Sequence, residues 1–239
     1  MLARLLAEGG WQATLSYAGR TEHPRAQPVP IRVGGFGGAE GLARYLREHG
    51  VTHLVDATHP FAPVISGNAV LAAQLAGVPH IALTRPAWTA TQGDRWHHVP
   101  DLAGALAALD GPPRRVMLAL GRMHVEAFAA RPQHHYLLRF VDAPAAPPSL
   151  PRYRLVVDRG PFTAEGDRGL MADHRIDLVL CKNAGGRGAE AKLLAARALG
   201  LPVLMIGRPI LPERREVHDP EAVMRWLDHA MPAIAERGV

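Results

Sequence analysis

The sequence predicts an α/β fold of two lobes, each a parallel β-sheet flanked by helices. Three observations carry this. Short apolar runs such as RVMLAL (115–120), DLVLC (177–181) and PVLMI (202–206) recur without alternating polar residues, the pattern of strands covered on both faces. Segments with helical spacing stand between them. The 239 residues suffice for one large core or two small ones, and Gly111-Pro112-Pro113 divides them into residues 1–111 and 112–239.

The elements follow in order. Leu2, Leu5 and Leu6 line one face of a short helix that Gly9-Gly10 ends. ATLSYA (13–18) reads as a buried strand, and residues 19–30, with three prolines, as loop. IRV (31–33) is a short strand broken by GGFGG (34–38), and residues 39–49 form a helix stopped by Gly50. HLVDA (53–57) is a strand. Pro63 suits the first turn of the helix that runs to Ala76. HIALT (80–84), a helix at 101–109, RVMLAL and HYLLRF (135–140) come next. DAPAAPPSLP (142–151) is loop. RLVVD (154–158), a helix at 163–174, DLVLC, a helix at 188–199, PVLMI and a helix at 220–230 complete the series.

Composition removes several classes of function. Hydrophobic residues make up 48% and aromatics 5%, so the chain is globular and its core rests on Ala, Leu and Val. The single cysteine, Cys181, rules out an internal disulfide framework or a cysteine-based zinc site. The 13 histidines are scattered, and no metal site is expected. No segment approaches the roughly 20 apolar residues of a membrane helix, and the N-terminal apolar stretch is too short for a signal peptide. A cytoplasmic protein is expected. The net charge of +5 and pI near 10 come from arginines placed singly at loop starts, which suits small anions better than nucleic acid. No nucleophile elbow, kinase signature, HExxH or suitable carboxylate pair is present.

In open parallel sheets ligands bind beyond the carboxyl ends of strands. The first such end offers Ser16, Arg20 and Thr21 with no acid before Glu22, a set suited to the 2′-phosphate of NADP; the alternative is a solvated arginine in a turn. Gly35, Gly37 and Gly38 of GGFGG would let backbone approach a cofactor ahead of a helix N-terminus, or would simply make a turn. Thr58-His59-Pro60-Phe61 sets a hydroxyl, an imidazole and a ring at a third strand end, with Ser66 and Asn68 beyond. Capping by Asp56 or Thr58 is the structural alternative. Arg85, Arg122 and Arg208 each follow a strand and together suggest a cationic rim for carboxylates or phosphates. Lys182-Asn183 leads into Gly185-Gly186 and a helix carrying Lys192, laid out like an anion cradle but without P-loop spacing.

Taken in order, SYAGRT (16–21), GGFGG, VDATHPFA (55–62), RPAW (85–88), CKNAGGRGAEAKLLAAR (181–197) and LPVLMIGRP (201–209) resemble the precorrin-6A reductase family of cobalamin biosynthesis. The resemblance implies two Rossmann-like lobes with a ligand cleft between them. The first would bind NADPH through Ser16, Arg20, Thr21, the GGFGG glycines and Thr58–Phe61. The second would bind the tetrapyrrole precorrin-6A through Arg122, Lys182, Asn183, Gly185, Gly186, Lys192 and Arg208, with Arg85 adding to the rim. The product would be precorrin-6B. The protein would be a monomer, and His59 is a candidate proton donor. The family pattern begins with a strand and a glycine turn ahead of the first helix, whereas this sequence opens within that helix. A start about a dozen residues upstream, or a genuine truncation with weakened NADPH binding, is the expectation. A reductase of another polycarboxylate and a non-catalytic anion-binding protein are the rival readings.

Overall fold

A computed structural model describes residues 1–19 and 26–230. The chain is α/β throughout, and every recorded strand pair is parallel. It divides into two compact units: residues up to Arg85 together with those from Ile210, and the intervening Pro86–Pro209.

The second unit is one six-stranded sheet in the order β5 (Arg95–Val99), β10 (Pro202–Ile206), β9 (Leu178–Lys182), β6 (Arg115–Ala119), β7 (His135–Phe140), β8 (Tyr153–Val157). Val116–Leu118, Leu178–Cys181 and Val203–Ile206 are buried along their whole runs, so these strands lack polar alternation. Helices α4 (Leu102–Ala108), α5 (Ala164–Asp173) and α6 (Ala191–Ala198) belong to this unit. Asp101 and Thr163 cap α4 and α5 by accepting from the N–H groups of Gly104 and Gly166. Met171, Leu193, Ala195 and Ala196 join Val179, Cys181 and Met205 in the core.

The first unit is built from shorter pieces. β1 (Leu15–Tyr17) pairs with β2 (Ile31–Val33) as a two-stranded sheet, and β3 (Leu54–Asp56), β4 (His80–Leu83) and β11 (Glu216–Val217) form a separate three-stranded one. α2 (Gly38–Glu48) packs on α3 (Pro63–Ala76) through Leu42, Ala43, Leu46, Ala69 and Ala72. Leu2 and Leu6 of α1 (Leu2–Glu8) pack with Ile81 and with Val223, Trp226 and Leu227 of α7 (Pro220–Ala230).

The elements expected from sequence are present with small shifts at their ends, but the division at residue 111 is not where contacts part. Residues 95–99 were not expected to be a strand. They pair with β10, and the Gly207 N–H donates to the Val99 carbonyl, which draws everything from Pro86 into the second unit. Conversely, Glu216-Val217 pairs with Ala82-Leu83 and returns the end of the chain to the first. RWHHV hides its strand character because it lies at a sheet edge, with Arg95, His97 and His98 exposed.

Candidate active site

Two sets of strand ends carry the chemistry, one in each unit. In the first unit, Ser16 on β1 stands in register with Arg32 on β2, and the Arg32 Nη1 lies 3.5 Å from the Ser16 Oγ. The same guanidinium donates to the carbonyls of Gly34 at 2.6 Å and Gly35 at 2.9 Å, and lies 3.8 Å over the Phe36 ring. Arg32 thus points a half-buried cation at the glycine loop. Gly34, Gly37 and Gly38 have φ of 124°, 79° and 87°, the left-handed range that glycine tolerates. An added Cβ on Gly34, Gly35, Gly37 or Gly38 would meet nothing within 4 Å, so there is open space above the loop. Gly41 is different: a Cβ there would lie 1.7 Å from the Phe36 carbonyl oxygen, so glycine is what lets α2 start beneath the loop. The N-cap of α2 is Gly37, which has no side chain to cap the helix. Arg20 and Thr21 lie outside the described residues.

The DATHPF loop is organised by a carboxylate. Asp56, 6% exposed, accepts from the Thr58 N–H at 3.0 Å and Oγ1 at 2.6 Å, and pairs with Arg214 Nη1 at 2.8 Å. Burial pushes its pKa up, but hydrogen bonds with Ser66 and Thr58 and the Arg214 charge outweigh this and hold it below the ordinary 3.8. Thr58 Oγ1 also meets Ser66 Oγ at 3.0 Å, so this hydroxyl is bound into the scaffold. His59 is exposed, and its Nδ1 accepts from the Phe61 N–H at 3.1 Å, which puts the ring proton of the neutral form on Nε2.

In the second unit the chain runs outward from β6 through β7 to β8, then returns to β9 on the other side of β6. The topological switch point therefore lies between β6 and β9, where such sheets place ligands. Ala119 on β6 is in register with Cys181 on β9, so Leu120–Arg122 and Lys182 leave the sheet side by side. A 3-10 helix, Arg122–Ala130, carries His124 back to this point, and its Nε2 lies 2.7 Å from Lys182 Nζ. Burial lowers the Lys182 pKa; burial and then the Lys182 charge lower that of His124.

The next loop is a fastening. The Asn183 side chain, 8% exposed, accepts from the Trp88 N–H at 2.8 Å and donates to the Trp88 carbonyl at 2.9 Å. Trp88 Nε1 donates to Gly186 O at 3.0 Å, and Arg208 Nε to Asn183 O at 3.0 Å. A Cβ on Gly185 would lie 2.1 Å from Pro86 O. Lys192 is 7% exposed, donates to Ala189 O and lies 4.8 Å from the Trp88 ring centre. A pocket beyond β6, β7 and β8 is lined by Lys192, Asp158, Phe162 and the buried Arg139–Asp167 ion pair.

The family model for precorrin-6x reductase CbiJ/CobK matches residues 1–228. The chain belongs to that family. It is 56% identical over 229 residues to the precorrin-6A reductase of Rhodobacter capsulatus, covering 95% of this chain and 91% of that protein. The Rhodococcus erythropolis precorrin-6A reductase is 45% identical over 230 residues, 95% of this chain and 92% of its own. A solved structure of the CobK precorrin-6A reductase superposes with a TM-score of 0.89 at 55% identity, covering 100% of this chain and 94% of that one. As a member of the CbiJ/CobK family the chain is a reductase.

Within this reductase, the first unit gathers Ser16 with Gly35, Gly37 and Gly38, and separately holds Thr58, His59, Pro60 and Phe61 in one loop. In the second unit Lys182, Asn183, Gly185, Gly186 and Arg208 share one loop system, with Lys192 against its Trp88, while Arg122 begins the 3-10 helix that presents His124. Arg85 ends the first unit and is exposed. The sequence reading passed over Arg32, His124 and Arg214. The alternation in IRV, which turns Arg32 to the face of Ser16, was the available signal for the first; the other two are brought in from distant segments. Among the described residues no group of three or more His, Cys, Asp or Glu side chains could hold a metal ion, and no helix is long and apolar enough to cross a membrane.

Proposed function

We propose that this chain reduces one double bond of precorrin-6A with NADPH to give precorrin-6B, acting in the cytoplasm as a monomer. Membership of the reductase family over nearly the whole chain is the observation that carries the reading. The first unit suits the cofactor. Open space above the glycine loop, the uncapped start of α2 and the Arg32 guanidinium fit a phosphorylated ligand. Ser16, Arg32, Gly35, Gly37 and Gly38 would hold it, with Arg20 and Thr21, and the absence of an acid beside Ser16 favours a 2′-phosphate. Thr58–Phe61 would border the nicotinamide end, where NADPH supplies a hydride.

The second unit would hold the macrocycle at the β6/β9 switch point. Carboxylates on its rim would pair with Arg122, Lys192 and Arg208. Asn183, Gly185 and Gly186 serve by keeping the loop in shape. The test follows NADPH absorbance with precorrin-6A and, in parallel, with simple polycarboxylates, and repeats both with NADH. Turnover with precorrin-6A and preference for NADPH are expected. Turnover with a simple polycarboxylate alone, or none with either, overturns the proposal.

A further inference from the structure

Reduction of a double bond requires a proton as well as a hydride, and the reading above leaves the proton's source open. His59 carries its ring proton on Nε2 and stands exposed on a loop of the first unit. At the β6/β9 switch point the case is stronger. Lys182 is half-buried at the end of β9, and the 3-10 helix after β6 delivers His124 Nε2 to within 2.7 Å of its Nζ. Two basic nitrogens at that distance share a proton. We infer that Lys182, oriented by His124, donates the proton that completes the reduction. The inference rests on the function proposed above and assigns one residue of that site a chemical task.

The geometry decides which nitrogen carries the proton. The ammonium donates and the neutral imidazole accepts at Nε2, which leaves the ring hydrogen on Nδ1. Burial lowers the pKa of Lys182, which makes the ammonium a better acid, and burial and then the Lys182 charge lower that of His124, which favours its neutral form. The balance is simple. The incoming hydride brings both electrons of its new C–H bond to one atom of the double bond. The π pair moves to the other atom and forms a bond to hydrogen as an Nζ–H bond of Lys182 breaks. Lys182 is left as a neutral amine, and a proton from solvent restores it. His124 is thus a positioning residue and Lys182 the catalytic one.

The competing role for Lys182 is a plain carboxylate ligand, and the two separate experimentally. Lys182→Met, Lys182→Arg, His124→Ala and His124→Gln are compared with wild type for kcat, KM, the solvent deuterium isotope effect and equilibrium binding of precorrin-6A without NADPH. A proton donor predicts a kcat loss of about 10²–10⁴-fold in Lys182→Met. Binding should change less than about threefold, and Lys182→Arg should not recover kcat, since guanidinium holds its proton too tightly. His124→Ala should lose kcat, and His124→Gln, which keeps an acceptor, should lose less. A carboxylate ligand predicts weakened binding, raised KM, near-normal kcat and recovery in Lys182→Arg; that result overturns the inference. If Lys182→Met does not fold, Lys182→Arg and the His124 pair decide it by the same criteria. Inactive wild type would remove the proposed function, and with it this inference; active wild type with active Lys182→Met removes the inference alone.

Discussion

The second unit holds six strands in one sheet, and its central strands are buried over Val116–Leu118, Leu178–Cys181 and Val203–Ile206. Among the described residues the first holds five strands in two sheets, and none of these is buried end to end. β1 and β2 contain no buried residue at all, and Val33 is 54% exposed. Stability comes from different sources in the two. The second unit rests on apolar area removed from water. The first adds directional contacts around Asp56 and the clasp of α1, β4 and α7, and its glycine loop stays open for a ligand.

The largest expected effect tests the directional half of this contrast. Arg214→Ala strands the buried Asp56 carboxylate and should cost about 3–5 kcal/mol, read from urea unfolding. Its acid dependence has a definite sign. Asp56 titrates below 3.8, so its contribution is complete above that pH and is lost as pH falls through its folded-state pKa. Asp56→Asn should therefore flatten the acid limb of stability. Next comes the apolar half: Leu180→Ala, fully buried at the centre of β9, should cost about 2–5 kcal/mol, while Val33→Ala should stay within about 0.5 kcal/mol. Equal costs at Leu180 and Val33 would break the comparison. An effect on binding rather than on stability sharpens it. Arg32→Ala should weaken NADPH binding by about 1.5–3 kcal/mol, roughly tenfold or more, and NADH binding by less, in fluorescence titrations. Equal losses for both cofactors would mean that Arg32 serves only the glycine loop.

Much of the fold was legible because local pattern and final environment agree. Val116–Leu118, Leu178–Cys181 and Val203–Ile206 are apolar throughout and are buried throughout. β5 was not legible, because an edge strand with exposed Arg95, His97 and His98 has no pattern that separates it from a loop. The two-residue β11 is too short to carry any pattern. Sites divided in the same way. Residues at or just beyond strand ends, such as Lys182 and Thr58, could be found by reading strand ends. Partners could not, because His124 reaches Lys182 across 58 positions and Arg214 reaches Asp56 across 158. Asn183 adds a structural task that its place in a glycine-rich loop did not signal: its amide holds the Trp88 backbone.

The exchange of segments at Arg85 and Ile210 has a consequence for the order in which the protein is made. Pro86–Pro209 is continuous, so the second unit holds all its strands once that stretch has left the ribosome. The first unit is begun earlier and finished later. Until Glu216-Val217 and α7 emerge, β4 lacks its β11 neighbour and Ile81 lacks the cover of Val223, Trp226 and Leu227. The older half of the nascent chain must wait, with part of its core uncovered, for the younger half to be complete.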